Sequence, residues 1–362
     1  MSIKKVAPAP GEIPGEVLGK RTLAGKQVTA PQNPRAFTPP QAFASLLNTM
    51  ALAANAPGRA SRVPELLTSR DNRWLKQFRA ALAGEKPRAP ANPSAEILGV
   101  EGPHLVETAL RAQLQITAIL ISEAGARHLP ALGEWIPESA RLLATSDRLF
   151  AQAAATETPQ GIAALVQAPQ TCFDDLVRGV PLLVLMAGIQ DPGNVGTLLR
   201  TAEAFGATGA ASCPAWGTGT ADPFGPKVLR ASAGSALRLP VLRGVGTPVL
   251  LAQLRVAGVR VYATSPDVAS FAAGGTGAST TAGRENARKP LLPWEVNWRE
   301  PAALLIGNEG AGLPADLLRS SDAVVRIPQT AARESGAPLD SLNAAVAGAI
   351  LLYEAARQRG LD

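Results

Sequence analysis

The chain has 362 residues, 46% of them hydrophobic, which exceeds one average domain and is ample for burying real cores. Its formal net charge of +6 favours a polyanionic partner, with the acids spread along the chain rather than gathered in a block. Two cysteines, Cys172 and Cys213, exclude a disulfide framework, and neither has a Cys or His at metal-ligand spacing.

No apolar segment of the secretory type follows Met1-Ser2-Ile3-Lys4-Lys5, and no run approaches membrane-spanning length. The expectation is a cytoplasmic protein without a membrane partner, its two thiols buried and reduced. Residues 1–62 are rich in Pro, Ala and Gly with scattered Lys and Arg, so little apolar surface offsets ordering entropy. That composition predicts a flexible basic tail, with one helix-like stretch at 41–52.

From Glu65 onward, Leu66, Leu67, Trp74, Leu75, Phe78 and Leu82 recur at helical spacing, up to a Pro-rich break at 87–93. A strand at 97–100, a helix at 103–113, a strand at 116–121 and an apolar strand at 162–166 follow. This is the pattern of a small α/β sandwich over 63–169.

A second α/β domain is expected over 178–362. It opens with Pro181-Leu182-Leu183-Val184-Leu185-Met186, an unbroken apolar run suited to a strand buried on both faces. A turn at 188–193 leads into Val195, Leu198, Leu199, Ala202 and Phe205 at helical spacing. Further strands are expected at 259–263, 303–306 and 323–327. Strands alternating with helices imply a largely parallel sheet. The stretch 271–293, rich in Gly, Ala, Ser and Thr, reads as a surface insertion.

Three polar or Gly-rich turns follow buried-strand patterns: 190–196, Gly307-Asn308-Glu309-Gly310-Ala311-Gly312, and Asp340-Ser341-Leu342-Asn343. In parallel α/β sheets ligands lie beyond the carboxyl ends of the strands, so these turns are expected to converge on one site. There is no GxGxxG, because Asp191 and Asn194 interrupt the spacing of Gly188, Gly193 and Gly196, and no GxxxxGK[ST]. A dinucleotide or triphosphate therefore fits poorly. A ligand without phosphates, held by backbone groups of glycine-lined loops, fits better, and S-adenosylmethionine is one.

Each polar residue of these turns has two readings. Arg200 is either a solvated helix arginine or a cation that grips an RNA phosphate or acts on a hydroxyl. Asn194 is an N-cap or a site residue; Glu309 caps its turn or orients a substrate or an arginine. Asp340 or Ser341 suits the N-cap of an apolar helix carrying Val346, Ile350 and Tyr353. His104 and His128 have no ligand-spaced partners and read as surface or capping residues.

Taken in order, the turns resemble the signature of the SpoU family of RNA methyltransferases, in the SPOUT superfamily. The first motif is Asp191-Pro192-Gly193-Asn194-Val195-Gly196-Thr197-Leu198-Leu199-Arg200-Thr201-Ala202-Glu203-Ala204-Phe205-Gly206. The second is Ile306-Gly307-Asn308-Glu309-Gly310-Ala311-Gly312-Leu313; the third is Ile327-Pro328 with Ser341-Leu342-Asn343-Ala344-Ala345-Val346-Ala347. Lys227-Val228-Leu229-Arg230-Ala231-Ser232-Ala233-Gly234 is similar to the segment the family carries between its first two motifs.

The resemblance implies an α/β fold with a C-terminal trefoil knot, a homodimer with the cofactor cleft near its interface, and transfer of a methyl group from S-adenosylmethionine to a ribose 2′-hydroxyl of RNA. It implies that backbone of Gly307, Ile327 and Leu342 holds the cofactor. Asn194, Arg200, Glu309, Ser341 and Asn343 match the family's active-site polar positions. The first domain resembles the family's RNA-binding module, which points to ribosomal rather than transfer RNA. Arginine stays protonated, so for Arg200 charge stabilisation or phosphate positioning is expected over base catalysis. Two departures stand out: Ala187 ends the first strand where relatives often carry an acid, and 329–339 lengthens the loop before Ser341. The competing readings are an RNA-binding protein that keeps the fold without transfer activity, and a nicotinamide-dependent oxidoreductase.

Overall fold

The computed structural model describes residues 64–86, 88–89, 92–215, 217–265, 289–329 and 341–360, with side chains excluded at 88–95. The expected basic tail with its helix at 41–52, most of the insertion at 271–293, and the loop at 330–339 lie outside the described residues. So does part of the path that would close a knot.

Two six-stranded sheets organise the described residues. The first comprises β1 (Glu65–Leu67), β2 (Arg88–Ala89), β3 (Asn92–Glu101), β4 (Ile116–Ser122), β5 (Arg141–Thr145) and β6 (Ile162–Gln167), in the order β1-β5-β4-β6-β3-β2. β4 runs parallel to β5 and antiparallel to β6, so the sheet is mixed. Side chains alternate between its faces. Ile97, Leu120, Leu143 and Leu165 pack under α1 (Arg73–Leu82), while Leu98, Ile119, Ile121 and Val166 pack under α2 (Pro103–Arg111). The short α3 (Leu129–Leu132) and α4 (Asp147–Ala153) complete the two layers.

Leu66 and Leu67 correct the expected helical run. They lie in β1 as an edge strand beside β5, and the helix begins only after Asn72, whose side chain accepts the Trp74 N–H at 2.8 Å.

The second sheet is parallel throughout: β7 (Leu182–Ala187), β8 (Gly209–Cys213), β9 (Val241–Arg243), β10 (Arg260–Thr264), β11 (Ala302–Ile306) and β12 (Ala323–Val325), ordered β12-β10-β11-β7-β8-β9. Every residue of β7 is buried, as its continuous apolar run requires. Val184, Met186, Leu304 and Ile306 face α6 (Pro192–Ala204), α7 (Pro226–Ala231) and α10 (Ala344–Arg359). Leu183, Leu185, Ala303 and Leu305 face α5 (Phe173–Leu176), α8 (Thr247–Val256) and α9 (Ala315–Ser320). Cys213 is buried, but Cys172, expected to be buried, is exposed: it opens the short α5, and its backbone N–H donates to Asp175 at 2.9 Å. Among the described residues no helix is long and apolar enough to cross a membrane.

The two sheets share one apolar cluster, and a square of charges closes their seam. Lys86 Nζ lies 2.8 Å from Glu96 and 2.7 Å from Asp222, and Arg243 lies 2.6 Å from Glu96 and 3.7 Å from Asp222. Burial pushes the Glu96 carboxyl up, but hydrogen bonds from Arg243 and Lys86 outweigh it and hold the group below its ordinary value. A carboxylate with a lowered folded pKa stabilises above its unfolded value, and that contribution is lost as pH falls through the folded value. Glu96→Gln is therefore expected to cost about 1–2 kcal/mol near neutrality and to flatten the acid limb of the stability profile. Urea melts from pH 7 down to pH 3 check this; parallel profiles for the two proteins would remove Glu96 from the seam's energetics.

Candidate active site

The site is built where the parallel strands end. The first turn starts α6: Asp191 accepts the Asn194 N–H at 2.9 Å as N-cap, and Pro192 occupies the first turn, where its missing N–H costs nothing. The second turn, after β11, is organised by Asn308. Its Oδ1 accepts the N–H groups of Gly310 and Ala311 at 2.9 and 3.0 Å, and its Nδ2 donates to the Gly188 carbonyl at 2.9 Å, tying the turn to the end of β7. The third turn ends in Asn343, whose Oδ1 accepts from Ala345 and Val346 at 2.9 and 3.2 Å and so caps α10.

Three side chains join these turns. Because Asn343 Oδ1 faces the helix N–H groups, its Nδ2 donates to Asn194 Oδ1 at 2.9 Å, and Asn194 Nδ2 is left to donate to Glu309 Oε1 at 2.6 Å. An ionised carboxylate accepts such a bond strongly. The amide orientations are thus fixed in series from the helix cap to Glu309.

Beside this chain lies a cavity of ≈ 420 Å³, within the range of small-molecule sites. Gly307, Glu309, Ile327, Ser341 and Leu342 line it, joined by Thr264 and Gln329. Arg200 is not among the lining residues. It is exposed on α6, six residues and about 9 Å of helical rise beyond Asn194, and its side chain makes no hydrogen bond or ion pair among the described residues. Asn308 is the organising residue that the sequence reading passed over, although an Asn inside a glycine-rich turn is itself a turn signal. Cys213, close to the end of β8, is no nucleophile: burial pushes its thiol up to about 12.

Residues 181–353 match the SpoU rRNA Methylase family, and residues 92–164 match the MRM3-like substrate binding domain. The chain is 34% identical over 255 residues to the 23S rRNA (guanosine(2553)-2′-O)-methyltransferase RlmP of Bacillus subtilis (strain 168), which spans 70% of this chain and 86% of the relative. The chain belongs to the SpoU rRNA methylase family. Within that family it is also 30% identical over 316 residues to a 23S rRNA (uridine(2479)-2′-O)-methyltransferase of Streptomyces viridochromogenes, covering 84% of this chain and 96% of the relative. Its fold matches the crystal structure of an AdoMet-bound rRNA methyltransferase from Sinorhizobium meliloti with a TM-score of 0.63, at 26% identity, over 81% of this chain and 97% of that one.

The cavity fits the cofactor that this SpoU membership implies. Ile306, Val325, Ile327, Leu342 and Leu351 give apolar walls for an adenine ring, and Thr264, Asn308, Glu309, Gln329 and Ser341 give polar groups for the ribose and the amino-acid part. A Cβ on Gly307 would lie 2.7 Å from the backbone carbon and oxygen of Gly312, so only glycine lets the wall approach this closely.

Proposed function

We propose that this SpoU-family protein is a cytoplasmic homodimer that transfers a methyl group from S-adenosylmethionine to a ribose 2′-hydroxyl of ribosomal RNA. The observation that carries the reading is the cavity at the ends of β10, β11 and β12, sharing Glu309 with the Glu309–Asn194–Asn343 chain. Bound there, S-adenosylmethionine supplies an electrophilic methyl group on its sulfonium.

Backbone of Gly307, Ile327 and Leu342 holds the cofactor. Asn194, Glu309 and Asn343 lock the three turns together, so that donor and acceptor meet in a fixed geometry, where effective concentration lowers the barrier. Ser341 and Asn343 orient the acceptor ribose. Arg200 stabilises the negative charge that develops on the 2′-oxygen as its proton leaves to solvent. A base nitrogen as acceptor is disfavoured because both described acids of the turns are engaged, Asp191 by its helix cap and Glu309 by Asn194.

The homodimer is supported by α10. Val346, Ile350 and Tyr353 stand four and three residues apart on one face and are 49%, 40% and 53% exposed, an apolar stripe next to α6 in the packing. A second copy covers it by two-fold symmetry. Sedimentation velocity at micromolar concentration is expected to show a dimer for the native protein and a monomer for Ile350→Asp; a native monomer would contradict the assembly.

The substrate is tested by incubating the protein and labelled S-adenosylmethionine separately with ribosomal and transfer RNA from a strain lacking it. Label in ribosomal RNA is expected. Label only in transfer RNA, or none, overturns the proposal.

A further inference from the structure

Taking ribosomal RNA as the substrate, as proposed above, we infer that Lys227 and Arg230 form a phosphate-gripping strip that carries the RNA backbone from the methyl-transfer site to the N-terminal domain. Both lie on α7, three residues apart and so on one face of the helix. Val228 and Leu229 are buried in the core while Lys227 and Arg230 are exposed.

The position of α7 makes it a bridge. On one side it rests on α6: a Cβ on Gly196 would lie 2.4 Å from Ala231 Cβ and 2.9 Å from the Ser232 nitrogen, so the two helices touch two residues past Asn194. Arg200 follows Gly196 by one turn on the same face of α6. On the other side, the turn that ends α7 docks on α2. His104 Nε2 donates to the Ala233 carbonyl at 3.2 Å, and Gly234 packs against Thr108. Arg230 thereby becomes a wall of a cleft of ≈ 210 Å³ together with Gly102, Pro103, His104 and Gln160 of the first domain.

Charge pairing separates these two cations from their neighbours. Arg238 is held by Glu203 at 2.7 Å, and Arg243 and Lys86 are held by Glu96 and Asp222. Glu101, the carboxylate in the wall of the cleft, accepts from Ala155 N–H at 2.8 Å and from the Thr156 hydroxyl. The Lys227 and Arg230 side chains make no hydrogen bond or ion pair among the described residues. Unpaired cations along a bridge between a catalytic site and a substrate-binding domain suit the repeating negative charge of an RNA backbone.

The test is the salt dependence of binding, because each phosphate contact contributes about 0.7–0.9 to the slope of log affinity against log salt. Labelled ribosomal RNA from a strain lacking the protein is titrated with native protein, with Lys227→Gln/Arg230→Gln, and with Arg255→Gln. Arg255 lies on α8, on the opposite face of the second sheet, and serves as control. The double variant is expected to lose about 1.4–1.8 from the slope and at least ~10-fold in affinity at low salt. Its S-adenosylmethionine affinity and melting temperature should stay native, and the control, whose side chain bonds the Ser320 carbonyl at 2.9 Å, should keep the native slope and RNA affinity. An unchanged slope in the double variant, or an equal loss in Arg255→Gln, overturns the strip. Methyl incorporation by the native protein, measured on the same RNA, separates the two claims. Incorporation with an unchanged slope sinks the strip alone, whereas a reduced slope without incorporation sinks the methyltransferase reading and leaves the strip standing.

Discussion

Replacing Arg200 with alanine is expected to cut methyl transfer at least ~100-fold, the lower end for loss of one group that stabilises charge in the transition state. Fold and cofactor binding should survive, because the side chain is exposed and makes no hydrogen bond or ion pair among the described residues, and such surface changes usually stay within about 0.5 kcal/mol. Steady-state kinetics divide the two roles open to a cation here. A loss carried by kcat marks charge stabilisation at the 2′-oxygen, and a loss carried by KM for RNA marks phosphate positioning. Arg200→Lys should recover part of a point-charge effect and little of one that needs the planar fork. Near-native turnover in Arg200→Ala would remove the residue from the mechanism.

The second large effect is expected from a single methyl group at Gly307. The added Cβ would meet the backbone carbon and oxygen of Gly312 and the Leu313 side chain, each at 2.7 Å, and backbone cannot swing aside as a flexible side-chain end can. The turn must shift, and with it the Asn308 bond to Gly188 and the Glu309 bond to Asn194. Overpacking of this kind costs about 1–3 kcal/mol. Borne by the cofactor pocket, that raises the S-adenosylmethionine dissociation constant about 5- to 140-fold. Gly310→Ala is the matched control: its Cβ would find only Asn308 Oδ1, at an ordinary 3.7 Å. Calorimetry showing equal affinities for the two variants would contradict the packing argument.

Long apolar runs made the two sheets legible. The β7 and β11 strands are buried over their whole length and could hardly be anything else. Strands that depend on their neighbours were not legible. Gly209-Ala210-Ala211-Ser212-Cys213 lacks the branched and aromatic residues that favour strands and forms β8 because β7 and β9 pair with it on either side. β5, flanked by β1 and β4, arises the same way, the three-residue β9 forms as an edge strand against β8, and Leu66 and Leu67, apolar and near a helix, match a helical period while serving as an edge strand.

In the site, the turn residues could be read one by one, since Gly, Asn and Asp after buried strands announce tight turns at strand ends. Which Asn bonds to which acid could not, because Asn194 and Glu309 stand 115 positions apart and only the sheet order brings them to 2.6 Å. For the same reason the charge square joining Lys86, Glu96, Asp222 and Arg243 has no local trace in the sequence.

The central claim is the chemical position of the transferred methyl group. Ribosomal RNA from a strain lacking the protein, incubated with the protein and labelled S-adenosylmethionine, is digested to nucleosides and analysed by mass spectrometry with fragmentation at the glycosidic bond. The label is expected on the ribose fragment of a single nucleoside, with the base fragment unlabelled. Label on the base fragment would contradict the account.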